Sequence, residues 1–312
     1  MTKGHTFLNR FRKALSSRAS RSRLRVLGSF SPELCDFSSN DYLGLVHSPP
    51  PSQEKNSSLL LQGELAAVNG PLSGVAHYGS GLGSTGSRIL TGNSPMHAEI
   101  ESFIESLHPL GPAPPPGTGS VPPRKSALLF NSGYSANLSL MSSVPGVEDV
   151  CVLDSHCHNS TFMGLKLSAC PNPPLTFRHN DLQDLEDTLF RACQSLGRDG
   201  GVVLCIEGYY SMTGTLCPLS EMVSVSSRVS EETGKTVSII IDEAHSGGIF
   251  GCCGRGRAGD VVEERGKANI LAVVMAFGKA YGGHGGAVVD YSGWSGDGAP
   301  AEKDWEAGDG AR

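Results

Sequence analysis

Two aliphatic runs in this chain end in ionisable residues: Ile239-Ile240-Ile241-Asp242 and Met275-Ala276-Phe277-Gly278-Lys279. A carboxylate at the end of a buried strand is costly to ionise unless a cation meets it, so Asp242 calls for a positive partner. A protonated pyridine nitrogen would be one. Capping of a following helix is the competing role for such an aspartate. A lysine that follows an apolar strand among glycines is desolvated enough to lose its proton more easily and attack an aldehyde. A solvated lysine in a turn is the competing reading, and the shared setting of Asp242 and Lys279 at strand ends favours the chemical one.

Other motifs are weaker. Gly81-x-Gly83-x-x-Gly86 has the spacing of a dinucleotide fingerprint, but Val75 to Ser80 make a poor strand before it and no helix opens after it, so it is read as a decoy. Ser132-Gly133-Tyr134, opening a helix, is a better cradle for a phosphate, because free N–H groups and the helix dipole both favour an anion there. Cys151, His156, Cys157 and His158 lack a second ligand pair at zinc-like spacing, and no metal is expected.

The elements that must position these residues follow from the apolar pattern. Ser126–Phe130, Val150–Leu153, Gly201–Ile206, Val237–Ile241 and Ile270–Met275 read as buried strands of a mostly parallel sheet with flanking helices, an α/β fold. Ligands of such sheets sit at the carboxyl ends of the strands. Residues 5–26 read as a helical arm and 48–75 mostly as loop. His97–Leu107 reads as an amphipathic helix with Ile100, Phe103 and Ile104 on one face, and 111–123 as a surface loop.

With 312 residues, a net charge of −6 and 38% hydrophobic content, the chain has the bulk of a globular protein and no global footprint for nucleic acid. No run approaches the length of a membrane span. Nine cysteines without a C-x-x-C pair argue against a disulfide framework and for a reducing, cytoplasmic setting. The first thirty residues are basic and carry no acid before Glu33. That composition is shared with mitochondrial transit peptides, and a peroxisomal location also stays open; an arm packing on a partner subunit is the favoured reading.

The segments Phe37–Leu45, Ala127–Asn137, Phe177–Asp181, Glu207–Met212, Asp242–His245 and Phe277–Lys279 stand in the order and approximate spacing of the α-oxoamine synthases. The chain resembles that family from about Arg23 to Val289, and within it the 8-amino-7-oxononanoate synthases. The resemblance implies a fold type I transferase that uses pyridoxal 5′-phosphate (PLP), with an amino acid and an acyl-CoA as substrates and a homodimer once the full-length fold is completed. It also implies roles for individual residues. Lys279 would be the Schiff-base lysine, Asp242 the partner of the ring nitrogen and His245 the partner of the phenolic oxygen. His158 would stack on the ring, Gly133 and Tyr134 would meet the phosphate, and Ser211 and Glu207 occupy further active-site positions.

Three departures qualify the resemblance. The hydroxyl residue expected near Phe277 is absent from Val274-Met275-Ala276, and an aspartate often found after the Ser-Met pair is Thr213. After Val289 the chain has no Val, Ile, Leu, Met or Phe. The expected organisation is an entry segment over 1–76, an incomplete PLP-binding domain over 77–289 and a disordered tail over 290–312, with the C-terminal small domain missing. Two rival readings stand beside the acyltransferase: an inactive truncated homologue that keeps PLP, and another α-oxoamine synthase of the aminolevulinate synthase, 2-amino-3-oxobutyrate CoA ligase or serine palmitoyltransferase type.

Overall fold

The computed structural model describes residues 6–24, 86–90, 92–108, 126–265 and 268–292. Phe37–Leu45, the 48–75 and 111–123 loops, most of the Gly81–Gly86 motif and residues 293–312 lie outside them. The chain divides into two units, residues 1–15 with 101–312, and residues 16–100.

The larger unit is built on a seven-stranded sheet. Its strands are β1 Ala127–Phe130, β2 Val150–Asp154, β3 Leu175–Phe177, β4 Val202–Glu207, β7 Val237–Asp242, β8 Ile270–Ala276 and β9 Gly286–Asp290. They lie in the order β1-β9-β8-β7-β4-β2-β3. Strands β3, β2, β4, β7 and β8 run parallel, and β9 is antiparallel to both β8 and β1. Every residue of β2, β4, β7 and β8 is buried, which is why these strands are continuous Val/Ile/Leu runs rather than alternating ones. Each fully buried aliphatic side chain here contributes about 1.5–3 kcal/mol relative to an exposed one.

Five helices connect the strands: α3 Gly133–Ser143, α4 Asn159–Lys166, α5 Leu182–Ser195, α6 Leu219–Thr233 and α7 Ala258–Arg265. The short hairpin β5 Tyr209–Tyr210 with β6 Thr215–Leu216 follows β4. The helix starts are legible locally. Ser132 and Asp181 accept the N–H groups of Ser135 and Asp184, satisfying donors that the first turn leaves free. Gly234 ends α6 in the left-handed conformation at φ 65°.

Two expectations need correction. The helix read over 97–107 is α2, Pro95–Leu107, but Phe103 is 63% exposed and Ile100 is also exposed, whereas Glu101 is buried beside Ile104. The reason is the outer edge of β1. Glu101 Oε1 accepts Leu129 N–H at 3.0 Å and Glu105 Oε1 accepts Ala127 N–H at 3.0 Å, so the helix turns carboxylate acceptors to the edge of the strand. The helical arm is α1, Thr6–Ser20. Its Arg10 pairs with the buried Asp149 of the same chain. The ordered fold also passes the boundary drawn at Val289, because β9 runs to Asp290 and Tyr291 is 3% exposed, hydrogen-bonded to His108 Nδ1 at 2.6 Å.

In the smaller unit the described residues are few. Arg88 donates to Asn93 Oδ1, and the Ser94 N–H meets His97 Nδ1 just before Pro95 opens α2. Proline there forfeits no helical bond.

Candidate active site

A cleft of about 280 Å³ opens at the carboxyl ends of β4, β7 and β8 and at the N-terminus of α3. Gly133, Tyr134, His158, Glu207, Ser211, Asp242, His245 and Lys279 all line it. The sheet brings them together because each sits at or just after a strand end. Glu207 and Asp242, the last residues of adjacent parallel strands, are register partners.

Asp242 is buried and doubly held: Asn137 Nδ2 donates to its Oδ2 at 2.5 Å, and the Ala244 N–H to its Oδ1 at 2.9 Å. Both bonds fix the group at the cleft wall. Glu207 is 6% exposed and accepts the His158 N–H at 2.6 Å. Burial, reinforced by the neighbouring Asp242 charge, pushes its pKa up to about 8. Two carboxyl groups at adjacent strand ends thus differ in environment, one held by donors and one kept protonated in part by its neighbour.

Lys279 is exposed at the mouth, yet burial of its ammonium against the cleft lowers its pKa, with Asp242 and Glu207 pulling the other way. The His245 ring is lowered too, first by burial and then by the Lys279 charge. His158 starts α4, and its Nδ1 accepts the Ser160 N–H, so the neutral ring carries its proton on Nε2. Its ring meets Tyr134 edge-on, with centroids 6.2 Å apart.

Gly133 is required by contact. A Cβ there would lie 2.6 Å from the Cβ of Ala276, and one at Gly286 would lie 2.6 Å from the Gly133 nitrogen. The first turn of α3 is therefore pressed onto the ends of β8 and β9, with Ser132 bridging to Gly285.

Sequence reasoning gave no role to Asn137, Ser160, Ala244 or His284, which also line the cleft. Asn137 had a usable signal: it follows Gly133 by four residues, so it shares that face of the helix. The four Cys/His residues weighed for a metal disperse. Cys151 and Cys157 are buried, His158 lines the cleft and His156 stacks on His179 at 4.1 Å. The Phe177–Asp181 motif supports the hairpin next to the cleft. His179 donates from Nδ1 to the buried Asp154 at 3.0 Å and takes the Thr215 hydroxyl on Nε2 at 2.7 Å. Thr213 joins this chain of bonds through Thr215 at 2.8 Å.

The model of one protein family, aminotransferase class I and II, matches residues 32–291. The chain belongs to that family. It is 31% identical to a putative 8-amino-7-oxononanoate synthase of Bacillus licheniformis, over 88% of this chain and 61% of that protein. It is 34% identical to the serine palmitoyltransferase of Caulobacter vibrioides, over 67% of this chain and 45% of that one. A high-resolution structure of a serine palmitoyltransferase with a PLP internal aldimine has 32% identity and a TM-score of 0.52, over 67% of this chain and 45% of that chain. These relatives support the α-oxoamine synthase resemblance read from the motifs. The chain spans about half the length of the curated relatives it matches. Among the described residues, no helix is long and apolar enough to cross a membrane.

Proposed function

We propose that the cleft binds PLP and that the chain works as a PLP-dependent acyl-CoA:amino-acid C-acyltransferase of the 8-amino-7-oxononanoate synthase type. The observation that carries this reading is the presence of Lys279 and the doubly held Asp242 in one cleft. The residues suit the cofactor. Asp242 is a carboxyl group fixed at a strand end, the close approach of Gly133 to Ala276 leaves backbone N–H groups at a helix N-terminus, and Lys279 has a lowered pKa. When bound, PLP supplies an electron sink that stabilises a carbanion at the Cα of an amino acid.

The chain's own residues do the rest. Asp242 would hold a proton on the ring nitrogen, and Asn137 and the Ala244 N–H keep its carboxyl group aimed. Lys279 presents an amine that is more easily deprotonated than a solvated lysine and would hold the cofactor's aldehyde and serve as the base for the Cα proton. His245, its pKa lowered by burial, would donate toward the phenolic oxygen. His158 would stack on the ring, while Ser211 and Glu207, in the same cleft, would face the substrate. The first turn of α3, with Ser132, Gly133 and Tyr134, would receive the phosphate, and would carry more of that anion because Ala276 offers a methyl group and no hydroxyl.

Alanine and a pimeloyl thioester are the substrates this reading assigns. Its support is the motif resemblance together with a relative of that name, 31% identical over 88% of the chain. Thiol release measured with alanine, glycine and serine against pimeloyl-, acetyl- and palmitoyl-CoA tests it. Turnover greatest with alanine and pimeloyl-CoA is expected. Turnover greatest with serine and palmitoyl-CoA, or thiol release with no pair, would overturn it.

A further inference from the structure

Cys252 and Cys253 stand apart from the cleft, which neither lines, and no role in it uses them. Both are exposed, and their sulfurs lie 3.6 Å apart. They open a 3₁₀ turn, Cys252–Gly254, whose shape is fixed on all sides. Gly254 N–H bonds Gly251 O at 3.1 Å and Arg255 N–H bonds Cys252 O at 3.2 Å. Gly254 O in turn accepts the Gly248 N–H at 2.7 Å and the Tyr281 hydroxyl at 2.6 Å. Behind the turn, the buried Arg255 binds Asp260 and Glu263. This scaffold holds Cys253 at φ 55°, a conformation that non-glycine residues rarely adopt.

The spacing decides what such a pair takes. A direct disulfide would require the sulfurs to close to about 2.05 Å, and neighbouring Cα atoms, about 3.8 Å apart, fall below the usual disulfide range. A single atom bridging both sulfurs needs no such closure. With bonds of about 2.3 Å, the length of a zinc–thiolate bond, an atom spanning 3.6 Å subtends about 103°, close to tetrahedral. Zinc itself wants three or four protein ligands, and no third His, Cys, Asp or Glu joins the pair among the described residues. A three-coordinate centre that brings its own third substituent is satisfied by two thiolates, which are soft ligands.

We propose that Cys252 and Cys253 form a chelating dithiol site for trivalent organoarsenicals and electrophiles of that class. The step involves no oxidation. The As=O bond of an arsine oxide is replaced by two As–S bonds, and the oxygen leaves as water carrying both thiol protons. Closing the second bond within one turn is intramolecular, so two thiols retain the ligand about 10²–10⁴-fold better than one.

Reduced full-length chain is treated with one equivalent of phenylarsine oxide, and retention is followed by intact mass during competition with excess glutathione. The expected result is a gain of one reagent less one water, mapped to the peptide carrying both residues. Cys252→Ser and Cys253→Ser should each lose retention by about 10²-fold or more, while substitution of the partly buried Cys170, whose thiol donates to the Asp149 carbonyl, as Cys170→Ser leaves the adduct in place. Retention in either Cys252→Ser or Cys253→Ser within about tenfold of the parent, or an adduct mapped to Cys151 and Cys170, would overturn the proposal. Both substitutions fall at exposed positions, and unchanged far-UV circular dichroism verifies that the variants are folded.

Discussion

Glu207→Gln is expected to stabilise the protein in alkaline solution and to do nothing in acid. The carboxyl has an ordinary pKa of 4.5 and is held in the folded chain at about 8, first by burial and then by Asp242. Below pH 4.5 the side chain is protonated in both states, and Glu and Gln behave alike. Between 4.5 and about 8 the folded protein keeps a proton that the unfolded chain has lost, so stability falls by about 1.36 kcal/mol per pH unit. The interval sets a ceiling near 5 kcal/mol above pH 8, from (8 − 4.5) multiplied by about 1.36. Relaxation around a buried charge brings the effect down to about 2–3 kcal/mol. Gln keeps an oxygen to accept the His158 N–H and removes only the charge. At about 2–4 °C per kcal/mol for a chain of this size, the variant should melt roughly 4–12 °C above the parent at pH 9 and level with it at pH 4. Scanning calorimetry without added cofactor at pH 4, 7 and 9 reads this. A gap that does not grow with pH, or a parent more stable than the variant at pH 9, would refute the assignment of Glu207 as a buried, proton-retaining acid.

Two further outcomes follow from the site. Asp242→Asn should bind PLP but lose Cα-hydrogen exchange with alanine, because a neutral amide does not keep the ring nitrogen protonated; exchange at the parent rate, followed by proton NMR in D₂O, would contradict that role. Gly133→Ala should cost about 1–3 kcal/mol, because its Cβ would stand 2.6 Å from that of Ala276, and Ala276→Gly should recover much of the loss in a thermal-melt double-mutant cycle.

Much of this architecture is legible in the sequence for one physical reason: strands buried on both faces must be apolar throughout. Val150–Leu153, Gly201–Ile206, Val237–Ile241 and Ile270–Met275 therefore stand out, and the polar residues after them mark the cleft. Short strands do not give that signal. Leu175–Phe177 has three residues, only one of them buried, and Gly286–Asp290 opens on a glycine needed for close packing with α3. The exposed Phe103 shows the other limit, since apolar spacing on α2 pointed to one face while the backbone donors at the edge of β1 meet Glu101 and Glu105 on another. Within the site, residues at strand ends could be found from sequence. For Asn137 the helix face it shares with Gly133 could be read, but not its partner Asp242, which lies 105 residues away and is joined to it only by tertiary packing.

The claim on which the account rests is that Lys279 is the residue joined to the cofactor. Reduction of the PLP-loaded protein with borohydride, followed by peptide mapping, tests it most directly. The account predicts a pyridoxyl group on the peptide carrying Lys279 and its loss in Lys279→Ala, with other lysines unlabelled at stoichiometric cofactor. A stoichiometric label on any other lysine, or equal labelling of Lys279→Ala, would contradict it.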